Sequence, residues 1–185
     1  MEANQKINLK TNLTNHTEDL IDHYWYTISY LSALIKASEL KAGLILSFYG
    51  IVLNFVYQGA QTIGREVIED RILLSFVIIW MLITGLSIFF CIRCFIPKIE
   101  GNYSKNMFFF KDIISHFGPI KEFSKSFFKM SINEDELFLQ LGEQVFIVSK
   151  IADWKFKNVK RAINFLAIGL VVFALGGLYV FFLFV

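Results

Sequence analysis

The sequence predicts an all-α membrane protein with three transmembrane helices and a small cytoplasmic helical domain built from helices continuous with the first and third spans. Three observations carry this prediction. Of the 185 residues, 55% are apolar and only 18% charged, and mean hydropathy is +0.53, whereas soluble domains reach about 45–50% apolar only when glycine is counted. The excess lies in three uncharged runs, residues 42–64, 72–92 and 162–185. Each matches the roughly 20 apolar residues needed to cross a hydrocarbon core of about 30 Å. Outside them the apolar share falls to about 44%, that of an ordinary soluble domain. Amphipathic stripes precede the first and third runs, so two of the span helices extend beyond the bilayer. With 21 Phe and 2 Pro the chain is neither disordered nor collagen-like, and a net charge of +2 provides no basic field for nucleic acid.

Residues 1–17 are polar and lack a short apolar stretch with a small-residue cleavage site, so a flexible N-terminus is expected and a signal peptide is not. Over 18–40, Leu20, Tyr24, Ile28, Leu31 and Ile35 recur at steps of three and four. Thr17 stands ahead of them, with Glu18 and Asp19 in the expected first turn. The first span, 42–64, leads through an expected external loop, 65–71, to the second span, 72–92. Segment 93–161 holds 12 Lys/Arg against 8 Asp/Glu, while the loop holds only Arg65 and Arg71 beside Glu66, Glu69 and Asp70. Because cytoplasmic flanks carry the excess of positive charge, the N-terminus and 93–161 are expected in the cytoplasm, and the loop and C-terminus outside. Within 93–161, Pro97, Gly101 and Gly118-Pro119 punctuate short helices and loops. A last stripe follows, Leu137, Leu141, Val145, Val148, Ala152, Phe156 and Val159, with a capping box expected from Ser131 and Glu134. Lys155, Lys157, Lys160 and Arg161 then flank the third span, 162–185.

Three groups of residues invite a chemical reading. On the first span, Gly43, Ser47, Gly50, Asn54, Gln58 and Gln61 share one helical face. In lipid, such a stripe is either a close helix contact with interhelical hydrogen bonds or the lining of a water-filled path. Between 98 and 130, Phe108, Phe109, Phe110, Phe117, Phe123, Phe127 and Phe128 are interleaved with Lys105, Lys111, Lys121, Lys125 and Lys129. An aromatic-filled cytoplasmic core is expected from them. Cys91 and Cys94 form a C-x2-C without the second pair that zinc requires, so they are read as small apolar residues against a neighbouring helix. His16, His23 and His116 are scattered, and no glycine-rich phosphate loop is present. No enzyme, metal or cofactor is therefore expected. Sequons beginning at Asn12, Asn15 and Asn102 fall on the predicted cytoplasmic side and are read as chance.

The string SELKAGLILSFYG entering the first span, GNYSKNMFFFKDI after the second, and EDELFLQLGEQVFIVSKIADWKFKNVKRAI leading into the third resemble the transmembrane effectors of bacterial Pycsar anti-phage systems. The family carries an FF-x-D-I element and a Q-x4-S-K-I-A-x2-K-F helix in this order, over roughly residues 36–170. It has Asp shortly before the Lys of the first string, where this chain has Glu39. The resemblance implies a multi-pass protein of the bacterial inner membrane that senses cUMP or cCMP made by a partner cyclase, assembles into a homo-oligomer and impairs the membrane, aborting phage production. Such a ligand needs a cation for its phosphate, an aromatic face for its base and polar partners for its ribose. Lys105, Lys111, Lys150 and Lys155 are the candidate phosphate contacts, Phe108, Phe109 and Phe110 the stacking residues, and Asp112 or Asn102 the base or ribose partner. The competing readings are a SLATT-like channel module controlled by a partner protein, and a membrane anchor for a soluble partner; both share the lipid contact and neither involves nucleic acid.

Overall fold

A computed structural model describes residues 2–96 and 105–184, with the side chains of 2–15, 63, 65, 66 and 184 excepted. Pro97, Gly101 and Asn102 lie outside the described residues, as do the side chains of Asn12 and Asn15. The described residues form five helices: α1 (Glu2–Glu69), α2 (Arg71–Phe95), α3 (Phe110–His116), α4 (Ile120–Ser131) and α5 (Glu134–Phe184). No strand occurs among the described residues. Three helices are long and apolar enough to cross a membrane, and the chain is an all-α membrane protein.

Helix boundaries depart from expectation in three places. α1 begins at Glu2 instead of after a flexible 1–17. No Gly or Pro interrupts residues 2–41, and extending an existing helix adds one hydrogen bond per residue fixed. The expected loop 65–71 shrinks to a turn at Asp70, because α1 runs to Glu69 and the Asp70 carboxylate caps α2 by accepting from the amides of Ile72 (2.8 Å) and Leu73 (3.4 Å). Ser131 forms no capping box. It ends α4 and donates to the Phe127 carbonyl (2.8 Å), while α5 starts after Asn133, whose carbonyl accepts from Leu137 (2.9 Å).

The chain divides into two compact units, and α1 and α5 contribute residues to both. Unit 1 is Met1–Leu34 with Ile99–Ala152. The expected aromatic-filled core is met only in part: Phe109 is buried, and Phe110 and Phe128 are exposed. Half-buried rings form a chain of contacts in which Phe108 meets the exposed Trp25 edge-on (5.6 Å) and Phe127 likewise (5.8 Å), Phe127 continues to Phe123 (5.6 Å) and Phe123 to Phe117 (6.1 Å). Tyr24 lies against Phe138 (5.8 Å), and Met130 and Leu141 are fully enclosed. Gly118 takes φ 69°, a left-handed conformation that a side chain disfavours, and Pro119 follows as the cap of α4. Across this turn Phe117, just after α3, meets Phe123 in α4.

Unit 2 is Ile35–Lys98 with Asp153–Val185. Ala42, Ile45, Tyr49, Cys91, Cys94, Val159 and Ala162 form its buried cluster, so the C-x2-C packs between helices as two free thiols. Among the described residues no group of His, Cys, Asp and Glu is arranged to hold a metal. α2 and α5 approach closely where Gly169 stands near Ile83 and Gly176 near Phe76, the small-residue contact that lipid-embedded helices favour. Ser87 satisfies its hydroxyl on the Ala162 carbonyl (2.8 Å), and Trp80 meets Phe173 (5.4 Å). Near the hairpin, Tyr179 donates to the second Asp70 oxygen (2.9 Å), tying α5 to the turn. That hydroxyl, with the Ile72 amide, holds the Asp70 carboxyl below the usual carboxylate value.

The stripe expected along α5 needs one correction. Phe156 is exposed, with the Lys41 ammonium 5.7 Å from its ring centre. The buried position next to it belongs to Lys155. A lysine replaces a phenylalanine on the inner face because it finds a carboxylate there, as described below.

Candidate functional site

In unit 1, Asn106 organises the NMFFFKDI segment. It is fully buried. Its amide nitrogen donates to the Gln140 carbonyl (2.7 Å) and toward Glu143 (3.4 Å), and its side-chain oxygen accepts from the Phe108 amide (2.9 Å). The last of these is an Asx turn, which bends the chain two residues on. The Met107 amide donates to the Gln140 side chain (2.9 Å), and the Asn106 amide to the Asp112 carboxylate (3.0 Å). The segment is thereby fastened to α5 by side chains that saturate its backbone.

This fastening sorts the candidate residues. Asp112 is occupied by the Asn106 amide, with the His116 ring 3.5 Å from its other oxygen. Phe109 is buried at 7% exposure and Phe108 is half-buried between Trp25 and Phe127, whereas Phe110 stands 72% exposed. Lys105, Lys111 and Lys150 are exposed, and the Lys150 ammonium lies 5.5 Å from the Phe146 ring centre. Lysines and one open aromatic ring are the groups this segment offers to a solute. Asn106, Gln140 and Glu143 went unrecognised in the sequence; the one available signal was an Asn two residues before a phenylalanine run, where an Asx turn is favoured.

Lys155 belongs to unit 2 and does different work. Its ammonium donates to Glu39 (2.6 Å) and to the Cys94 carbonyl (2.8 Å), joining α1, α2 and α5. Cys94 lies in the last turn of α2, where carbonyls lack helical partners and a cation is favoured. Arg93 sits over the Trp154 ring (4.6 Å), and Arg161 over Phe90 (5.5 Å). The SELKAG and SKIADWKF strings, 116 positions apart at this contact, thus meet through one ion pair.

The polar face of the first span is exposed along most of its length. Gly43 alone is half-buried, 3.9 Å from Phe95 if it carried a Cβ, and Ser47 donates to the Gly43 carbonyl (3.1 Å). Gly50, Asn54, Gln58 and Gln61 are exposed, while Ala42, Ile45 and Tyr49 occupy the buried face. The stripe therefore does not pack within the chain. Toward the hairpin, α1, α2 and α5 leave an apolar cavity of about 1030 Å³ lined by Phe55, Gly59, Phe76, Trp80, Phe173 and Gly176 among others. Its lining suits an acyl chain or a neighbouring span better than a nucleotide.

A family model described as the Pycsar effector protein domain (PycTM) matches residues 23–183. The chain belongs to the PycTM family. No match was found among curated proteins or among solved structures. As a PycTM protein it is a membrane effector of anti-phage defence, of a family that works with cyclase-made cyclic nucleotides and is not a known enzyme class. The PycTM match takes in both fastening points, the Asn106 network and the Lys155 to Glu39 pair.

Proposed function

We propose that this PycTM protein senses cUMP or cCMP through its cytoplasmic unit, assembles with further copies of itself and impairs the bacterial inner membrane, causing abortive infection. The carrying observation is the exposed Ser47, Gly50, Asn54, Gln58 and Gln61 face: polar groups facing lipid are costly, so this face needs a second chain or water. The N-terminus and the 93–161 segment are cytoplasmic in this reading, and the C-terminus external, by the lysine and arginine bias.

Lys105, Lys111 and Lys150 supply the phosphate contact and Phe110 the stacking face. Phe108, Phe109 and Asp112 act one step back, by holding the segment that carries them, and Lys155 acts through its ion pair. α1 and α5 each run unbroken between cytoplasmic and span residues, so a ligand that repacks unit 1 acts on the same helices that cross the bilayer. Titration calorimetry of the detergent-solubilised protein with cUMP, cCMP and cAMP tests the sensor. Binding of a pyrimidine nucleotide is expected, and no binding to any of the three removes the reading. Growth arrest is expected only with a co-expressed uridylate or cytidylate cyclase. Toxicity without a cyclase favours the partner-controlled channel module instead, and no toxicity at all favours the anchor.

A further inference from the structure

Among the described residues of unit 1, an exposed face of α1 and an exposed face of α4 are complementary. On α1, Ile21, Tyr24, Ile28 and Leu31 turn inward, half-buried or buried, with Tyr24 against Phe138. Asp19, Asp22, Tyr26 and Tyr30, at steps of three and four, form an exposed face that runs about 16 Å along the helix. On α4, Phe123, Phe127 and Met130 turn inward. Lys121, Lys125 and Lys129 line the exposed side at steps of four, beside the exposed Ile120 and Phe128. Glu122 is the single acid of α4; it is exposed at the edge of the lysine row, one turn before Lys125, and leaves the face with a net positive charge. This second face runs about 14 Å.

We propose that the Lys121, Lys125, Lys129 and Phe128 face of α4 docks on the Asp19, Asp22, Tyr26 and Tyr30 face of α1 in a second copy of the chain. This rests on the oligomerising reading above and names the surface that oligomerisation uses. The two faces match in length, oppose in charge, and each pairs its charges with exposed aromatic rings. Lysine ammonium groups gain from aspartate and from tyrosine faces alike. Exposed aromatic rings such as Phe128, Tyr26 and Tyr30 are of the kind enriched at interfaces, and the charges beside them suit a polar rim. Because the faces are different surfaces of one unit, two copies can exchange the contact reciprocally in a closed dimer, or each copy can pass its free face to the next in a ring or longer array.

The test places Asp22→Cys in one copy and Lys125→Cys in another, co-expressed as full-length chains in the same membrane and treated with a short bismaleimide; the native Cys91 and Cys94 are buried. A cross-linked dimer is expected only when both variants are present. On that background, Lys121→Glu with Lys129→Glu lowers the yield about tenfold, since exposed charge pairs are individually small and two are reversed together. Adding Asp19→Lys to the facing copy restores it. All these positions are exposed, and a helical circular dichroism spectrum shows that the variants remain folded. No cross-link in the paired membrane overturns the proposal, as does a cross-link insensitive to charge reversal. Loss caused by the lysine reversals without recovery on Asp19→Lys assigns the lysines to another anionic surface, and also overturns it. Growth arrest with a cyclase is scored in the same cells: arrest without cross-link sinks this surface alone, and cross-link without arrest sinks the sensor reading alone.

Discussion

Replacing Glu39 destabilises the protein more than replacing Lys155, although the two form one ion pair. The Lys155 side chain is 4% exposed and that of Glu39 38% exposed. With Glu39→Ala, the buried ammonium keeps only the neutral Cys94 carbonyl as partner. Removing one partner of a buried pair costs about 3–5 kcal/mol, and the partial opening on the Glu39 side places this case near 3 kcal/mol. With Lys155→Met the stem volume is kept, Glu39 turns to water and the Cys94 carbonyl loses one donor, a loss of about 1 kcal/mol. The double variant Glu39→Ala with Lys155→Met leaves no stranded charge, so it is more stable than Glu39→Ala alone. Thermal unfolding of the detergent-solubilised chain, followed by tryptophan fluorescence, ranks the three. A midpoint for Lys155→Met at or below that of Glu39→Ala, or a double variant no better than Glu39→Ala, refutes the assignment of Lys155 as a buried, carboxylate-dependent cation.

Asn106→Leu strands the Phe108 amide and removes the bonds to Gln140 and Glu143. A loss of about 2–3 kcal/mol is expected, visible as faster limited proteolysis between 105 and 131, and unchanged cleavage would contradict the fastening role. Asn54→Leu removes a polar group from the exposed span face; a membrane-potential dye should report reduced depolarisation during growth arrest, and an undiminished signal excludes this face from a water path. The depressed Asp70 carboxyl stabilises the folded state above its unfolded value of about 4 and loses that contribution as pH falls through the lower folded value. Asp70→Asn should therefore flatten the decline in thermal midpoint as pH falls below about 5, and an unaltered slope argues against the Tyr179 tie.

What the sequence made legible was governed by one-dimensional pattern. Uncharged runs and stripes such as Tyr24, Ile28 and Leu31 announce span and amphipathic helices because burial follows the helical period; Leu20, expected at the head of that stripe, is exposed, and Ile21 takes the inward place. The density of phenylalanine between 108 and 128 announced ring contacts such as Phe108 with Phe127 and Phe127 with Phe123, but not which rings stay open, since Phe110 and Phe128 are exposed. Phe156 and Lys155 show the limit. By apolar periodicity the phenylalanine belongs inside, yet the lysine is buried because Glu39, 116 residues away, supplies its charge partner. Asn106 is similar: its burial depends on Gln140 and Glu143, which are remote in sequence. Polar residues enter a core only where partners from other helices satisfy them, and pairing of that kind leaves no period to read.

The same reasoning separates recognition from construction within the motifs. The SELKAG, FFFKDI and SKIADWKF strings are the most specific parts of the resemblance, and the structure engages several of their residues in internal bonds: Glu39 with Lys155, Asp112 with the Asn106 amide, and Phe109 in the core. A side chain that is buried or held by an internal bond is less free to turn toward a ligand than one left open. In the sensing role proposed above, contact with a small anion is therefore assigned to the exposed Lys105, Phe110, Lys111 and Lys150. Within this family fold the motifs build the frame, and alanine substitution should split the two roles cleanly. Lys111→Ala should weaken cUMP binding while leaving the thermal midpoint in place, whereas Asp112→Ala should lower both. Equal loss of stability from the two substitutions would show that Lys111, too, is part of the frame.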